Sequence, residues 1–151
     1  MDHVIRPLGA EDEPILWEML YQALQRSEGE TPLSREVVRQ PEFARYVEGW
    51  GRPGDAGFVA HDAGNGQLVG AVWFRPPKEE TTPELALAVK AGHRKHGIGA
   101  ALLTHWVKAN PEQSEISLRV RSNSPAVRLY ERFGFKVVTQ DQETVKMRRE
   151  L

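Results

Sequence analysis

The segment from Leu85 to Gly99 constrains the fold more than any other part of the chain. Residues 85–89 read as a β-strand. A basic turn containing Gly92 follows, and Gly97-Ile98-Gly99 opens a helix. A strand that runs through a glycine turn into a helix belongs to a sheet covered by helices. Such a turn aims several backbone N–H groups at one spot, and the helix dipole adds positive potential there. Glycine leaves no Cβ in the way, so a phosphate suits that spot. Taken alone, the turn reads more readily as an ordinary strand-to-helix connection.

The flanking sequence fills in the sheet. Val4, Ile5 and Arg6 form a short first strand. A helix is expected over residues 11–26, with Ile15, Leu16, Met19, Leu20, Ala23 and Leu24 at helical spacing. Its acidic start, Glu11-Asp12-Glu13 with Pro14, suits a helix N-terminus. A second helical region begins at the N-cap Ser34 and is split by Pro41, after which Phe43, Tyr46, Val47 and Trp50 form an apolar stripe. Residues 58–60 and 68–74 read as strands joined by the hairpin turn at residues 62–66. Residues 76–83 form an irregular polar loop, and residues 84–89 are the strand before the glycine turn. The next helix spans residues 97–109 and stops at Asn110-Pro111, with His105 and Trp106 on its inner face. Residues 116–120 form a strand. Ser124-Pro125 starts a helix that ends at Gly134, and residues 135–138 and 144–148 close the chain as a hairpin. The order is β-α-α-β-β-β-α-β-α-β-β, an α/β (α+β) mixed sheet flanked by helices. A single domain over residues 1–151 is expected.

Composition narrows the function. Twenty Lys and Arg against 21 Asp and Glu give a formal net charge of −1, which argues against nucleic acid as a partner. Cysteine is absent, so no disulfide, thiolate nucleophile or thiolate metal site can form. Residues 1–6 lack a signal-like apolar run, and no stretch reaches the roughly 18 apolar residues of a membrane span. A cytoplasmic location without membrane contact is the expectation. His93 and His96 lie three apart, but Arg94 and Lys95 between them would repel a cation, so no metal is expected.

Two segments, Arg94-Lys95-His96-Gly97-Ile98-Gly99 and residues 123–135 with Asn123, Ala126, Tyr130, Gly134 and Phe135, together resemble the GNAT superfamily of N-acetyltransferases. Arg94-Lys95-His96-Gly97-Ile98-Gly99 fits that family's acyl-CoA pyrophosphate signature, Gln/Arg-x-x-Gly-x-Gly/Ala. Residues 123–135 fit its Asn-x-x-Ala-x-x-x-Tyr-x-x-x-Gly-Phe signature through Asn123, Ala126, Tyr130, Gly134 and Phe135. The strand order agrees over the whole chain, while residues before Glu84 match in layout only. The resemblance implies a mostly antiparallel sheet, acetyl-CoA as co-substrate and an amine as acceptor.

It also implies roles for individual residues. Backbone groups of Lys95, His96, Gly97, Ile98, Gly99 and Ala100 would cradle the pyrophosphate, with Arg94, Lys95 and His96 adding positive field. The strand Leu87-Ala88-Val89 would pair with the pantetheine arm at a bulge where two strands splay. There the N–H of Leu87 would lie near the thioester carbonyl, and Asn123 would bond the arm from the other side. Tyr130 is the general-acid candidate for the departing thiolate, and Glu84 is the candidate base for the amine. Members that acetylate ribosomal-protein N-termini carry a glutamate five residues before the asparagine, where this chain has Leu118. That departure favours a small primary amine over a protein N-terminus. A peptide acceptor, a non-catalytic acyl-CoA-binding module and an ATP-binding turn are the rival readings, the last disfavoured because no Gly-Lys-Ser/Thr follows the turn. Tyr21, Tyr46, Trp50 and Trp73 are candidate lining residues for an acceptor pocket. Homodimers are common among such proteins.

Overall fold

The computed structural model describes residues 3–24, 34–75, 84–90, 97–110, 115–122, 126–142 and 144–150. Its strands are β1 (His3–Pro7), β2 (Ala56–Asp62), β3 (Leu68–Arg75), β4 (Glu84–Val89), β5 (Glu115–Arg121), β6 (Lys136–Gln140) and β7 (Thr144–Glu150). Its helices are α1 (Glu13–Leu24), α2 (Pro41–Ala44), α3 (Ile98–Ala109) and α4 (Ala126–Arg132). The strands form one sheet in the order β1-β2-β3-β4-β5-β7-β6. Every neighbouring pair is antiparallel except β4 and β5.

Alternation along the strands decides which layer each side chain joins. On one side, Val72, Phe74 and Leu85 pack with Ile98, Leu102, Leu103 and Trp106 of α3 and with Tyr130 of α4. Ile116, Leu118, Val145 and Met147 extend this core to β5 and β7. On the other side, Ala71, Trp73 and Ala88 pack with Leu16, Met19 and Leu20 of α1 and with Val38, Val47 and Trp50. This second core takes no buried residue from β5, β6 or β7. Its helical cover therefore stops at β4 among the described residues.

Several expectations change in detail. The helical region after Ser34 is a 3₁₀ turn over Arg35–Arg39, with Ser34 Oγ accepting from the Glu36 N–H, and Pro41 then opens α2. The acidic start of the first helix is less a dipole effect than a buried contact. Asp12 accepts two bonds from Arg6, at 2.9 and 3.0 Å, and one from the Gly9 N–H at 2.7 Å. Those donors hold its carboxyl below the usual range. Trp50 and Trp73 do not line a pocket. They are 6 % and 1 % exposed, and their indole N–H groups donate to the carbonyls of Gly9 and Tyr46. His105 is exposed rather than inward-facing, because the buried stripe of α3 centres on Leu102 and Trp106 and His105 falls at its margin, edge-on to Phe58. No helix among the described residues is long and apolar enough to cross a membrane.

Candidate active site

β4 and β5 touch through a single pairing, Glu84↔Ser117. On their outer sides both strands are fully laddered. β4 pairs with β3 from Gly70↔Val89 to Arg75↔Glu84, and β5 pairs with β7 from Glu115↔Glu150 to Arg121↔Thr144. The two strands thus part after one rung, and a wedge opens towards Val89 in the middle of the sheet. The expected bulge on β4 is absent. The β3–β4 register is continuous, and divergence from β5 alone makes the gap.

The N-terminus of α3 stands at this wedge. Gly97 caps it with φ 76 and ψ 7, a left-handed conformation that costs a residue with a Cβ about 1–2 kcal/mol. It offers no side-chain cap. The first helical bond runs from the Ala101 N–H to the Gly97 carbonyl at 3.0 Å. The N–H groups of Ile98, Gly99 and Ala100 precede it and find no carbonyl within the helix. A Cβ on Gly99 would lie 3.1 Å from Leu129 Cδ2 and 3.8 Å from side-chain atoms of Leu87 and Val89. Glycine there lets α3, α4 and the end of β4 meet closely.

Tyr130 lies on the α3/α4 side. It is 5 % exposed and meets Phe135 edge-on, with ring centroids 5.8 Å apart. Burial alone raises its hydroxyl well above the usual phenol value. Its proton therefore stays in place at any neutral or moderately alkaline pH.

Glu84 lies at the closed end of the wedge, on the opposite face. Its Oε1 accepts from the Tyr46 hydroxyl, and its Oε2 accepts from Arg45 Nη2 at 3.1 Å. Arg45 also donates to the Tyr46 hydroxyl at 2.9 Å and stacks over its ring. Arg119 Nε lies 3.5 Å from Glu84 Oε1. Burial, and then the neighbouring Glu84 carboxylate, pushes Tyr46 far above the usual phenol value, so it acts here as a fixed donor. A carboxylate has about four acceptor positions, so Glu84 keeps room for a water or an amine.

The structure thus places Glu84, Leu87, Ala88 and Val89 along one wall of the wedge, and Gly97, Ile98, Gly99 and Ala100 at its mouth. Tyr130 and Glu84 sit on opposite faces of the sheet. Arg94, Lys95, His96 and Asn123 lie outside the described residues, as does His93. Sequence reasoning did not find Arg45 or Arg119, and it counted Tyr46 only as a lining residue. The one available signal was the exposed arginine alternating with Ile116, Leu118 and Val120 on β5.

A mixed sheet split between two parallel central strands, with a helix N-terminus lacking a side-chain cap at the split, is the arrangement that the sequence resemblance implies for an acyl-CoA-dependent transferase. Residues 53–137 match the acetyltransferase (GNAT) domain family, which covers more than half of the chain. The chain belongs to the GNAT acetyltransferase family. An N-alpha-acetyltransferase of Sulfurisphaera tokodaii is 47 % identical over 58 residues, 36 % of this chain and 35 % of that protein, so the match spans about a third of the relative's length. The PaiA N-acetyltransferase of Thermoplasma acidophilum in complex with coenzyme A superimposes with a TM-score of 0.72 at 21 % identity, covering 100 % of both chains. YncA of Salmonella typhimurium with its cofactor acetyl-CoA superimposes with a TM-score of 0.70 at 17 % identity, covering 100 % of this chain and 95 % of that one. The family and the N-acetyltransferase names of these relatives support an acetyl-CoA-dependent acyltransferase.

Proposed function

We propose that the protein transfers an acetyl group from acetyl-CoA to a primary amine of a small molecule, by direct attack within a ternary complex. The observation that carries this reading is the single-rung junction of β4 and β5 beside the uncapped first turn of α3. The N–H groups of Ile98, Gly99 and Ala100, which find no carbonyl within the helix, suit a pyrophosphate. The inner edge of β4 suits the amides of a pantetheine arm, which pair with a strand edge as another strand would. The thioester supplies an activated acyl carbon with a thiolate leaving group.

The residues divide the remaining work between the two faces. An alkyl amine with a pKa of about 10.4 is neutral in only about one part in 10³ at pH 7, so it must lose a proton before or during attack. Glu84 takes that proton, directly or through water, while Tyr46 and Arg45 hold its carboxylate in place. The N–H of Leu87 stabilises the oxyanion formed on attack. From the other face Tyr130 gives its proton to the departing sulfur. The phenol is a weaker acid than the free thiol, whose pKa is about 8.5, but the same burial that raises Tyr130 also raises a thiolate formed beside it. Without a cysteine, an acyl-thioester on the enzyme is not an available route.

A second reading has support of its own. The similarity to an N-alpha-acetyltransferase favours a peptide N-terminus as acceptor. Leu118, where the ribosomal-protein enzymes resembled in sequence carry glutamate, weighs for the small amine. Cytoplasmic location fits either acceptor. A thiol-release screen with acetyl-CoA against diverse amines and short peptides, with products identified by mass, decides between them. Acetylated small amines support the first reading. Acetylation confined to peptides replaces it with the second, and acyl-CoA binding without turnover of any amine or peptide reduces the protein to a binding module.

A further inference from the structure

The β5–β7 face turned away from α3 and α4 forms a cationic strip leading out of the candidate site. Register places Ser117 opposite Arg148 and Arg119 opposite Lys146. β6 adds Lys136 opposite Arg148 and Thr139 opposite Lys146. The core under α1 sends no buried residue over these strands, so among the described residues no apolar layer closes the strip. Arg119 ties the strip to the site. It approaches Glu84 with one edge, and it lines an open cavity of about 270 Å³ together with Thr139, Gln140, Asp141, Thr144 and Lys146.

The charges here do not cancel. By contrast, Arg75 is matched by Asp55 at 3.1 Å and Arg6 by Asp12 at 2.9 Å. Around that cavity two cations, Arg119 and Lys146, face one lining carboxylate, Asp141. Glu84 is shared between Arg45 and Arg119, and Asp141 Oδ1 is engaged by the Thr144 N–H at 2.7 Å. The Arg119 side chain remains 57 % exposed, so most of its five donors face solvent. A local positive surplus in a chain of net charge −1, placed beside the carboxylate that handles the amine, selects for an acceptor of opposite sign.

We propose that the acceptor amine carries an oxyanion, carboxylate or phosphate, at its far end. Arg119 and Lys146 hold that group, with Thr139 and Thr144 as neutral donors beside it, while the amino end lies at Glu84. Diamines and polyamines are poor acceptors, because their second ammonium meets the same two cations. This proposal rests on the wedge being the acyl-CoA site.

The test is an unbranched primary-amine series ending in carboxylate, phosphonate, methyl or ammonium, assayed by thiol release with acetyl-CoA. One or both oxyanion-ended amines exceed the methyl-ended one by about tenfold in kcat/KM, equivalent to one charge-assisted contact, and the ammonium-ended amine falls below it. Which oxyanion leads identifies the group. Arg119→Gln and Lys146→Gln each shrink this preference through KM, and Lys146→Glu shifts it towards the ammonium end. Methyl- or ammonium-ended amines that match or exceed the oxyanion-ended ones overturn the proposal, as does turnover of none of the series. Calorimetric titration with coenzyme A separates the two levels. Binding with no anion preference removes only this proposal, whereas no binding removes the reading of the wedge and this proposal with it.

Discussion

Under α3 and α4 the site is made of main chain apart from the Tyr130 side chain, while on the opposite face it is made of side chains. At the wedge mouth the donors are the N–H groups of Ile98, Gly99 and Ala100; Gly97 supplies the left-handed turn before them, and Gly99 lets α4 and the end of β4 come close. Across the sheet, Glu84 is held by Tyr46, Arg45 and Arg119, which come from the segment after α2 and from β5. The main-chain half is indifferent to most substitutions that keep the backbone. The side-chain half can change charge and shape without disturbing the fold. On the proposed reading, a cofactor site common to a family and an acceptor site particular to one member are separated by the thickness of a sheet.

Mutations on the two faces should therefore fail differently. The largest effect belongs to Tyr130→Phe. It lowers kcat by about 10²-fold, the contribution of one positioned acid, and leaves the Kd for acetyl-CoA unchanged. Unchanged turnover with chemistry rate-limiting makes Tyr130 a core aromatic only. Glu84→Gln comes next. It keeps an acceptor for Tyr46 but turns an amide N–H₂ towards Arg45 or Arg119, and kcat falls, by less than for Tyr130→Phe, with the acetyl-CoA Kd unchanged. If only the acetyl-CoA Kd changes, the face assignment is wrong.

Gly97→Ala touches the opposite half. The space around its Cβ is empty, so its cost is conformational, about 1–2 kcal/mol, read as a lower Tm together with weaker coenzyme A binding. The smallest signal is in the pH profile. Burial raises Tyr130 above the ordinary phenol value of 10.0, so its proton is retained to higher pH than that of a free tyrosine. Wild-type kcat accordingly shows no alkaline decline up to about pH 10, and a decline centred lower assigns the acid role to another group.

The halves also differed in how far the sequence could reveal them. Gly97 and Gly99 announce a turn because short-range backbone geometry demands glycine, and the helix they open has the expected end at Ala109. The turn at residues 62–66 and the break at Pro41 are local in the same sense. The Glu84 cluster is not local. Tyr46 is 38 residues away and Arg45 is 39, and no periodicity connects them. Trp50 and Trp73 misled because aromatic type does not distinguish a pocket wall from a core; their positions in the layer under α1 decide it. The missing bulge was a family expectation that strand divergence makes unnecessary.

The single Glu84↔Ser117 rung has a consequence for how the chain assembles. Strands β1 to β4 zip among themselves, and β5 to β7 do the same, each set completing its hydrogen bonds without the other. Joining them relies on apolar contact beneath α3 and α4 more than on backbone pairing. The sheet is therefore two laddered halves joined at one rung and by the core beneath α3 and α4. The crevice is the seam left between these halves, and a ligand amide bonded along the β4 edge would supply rungs that β5 does not.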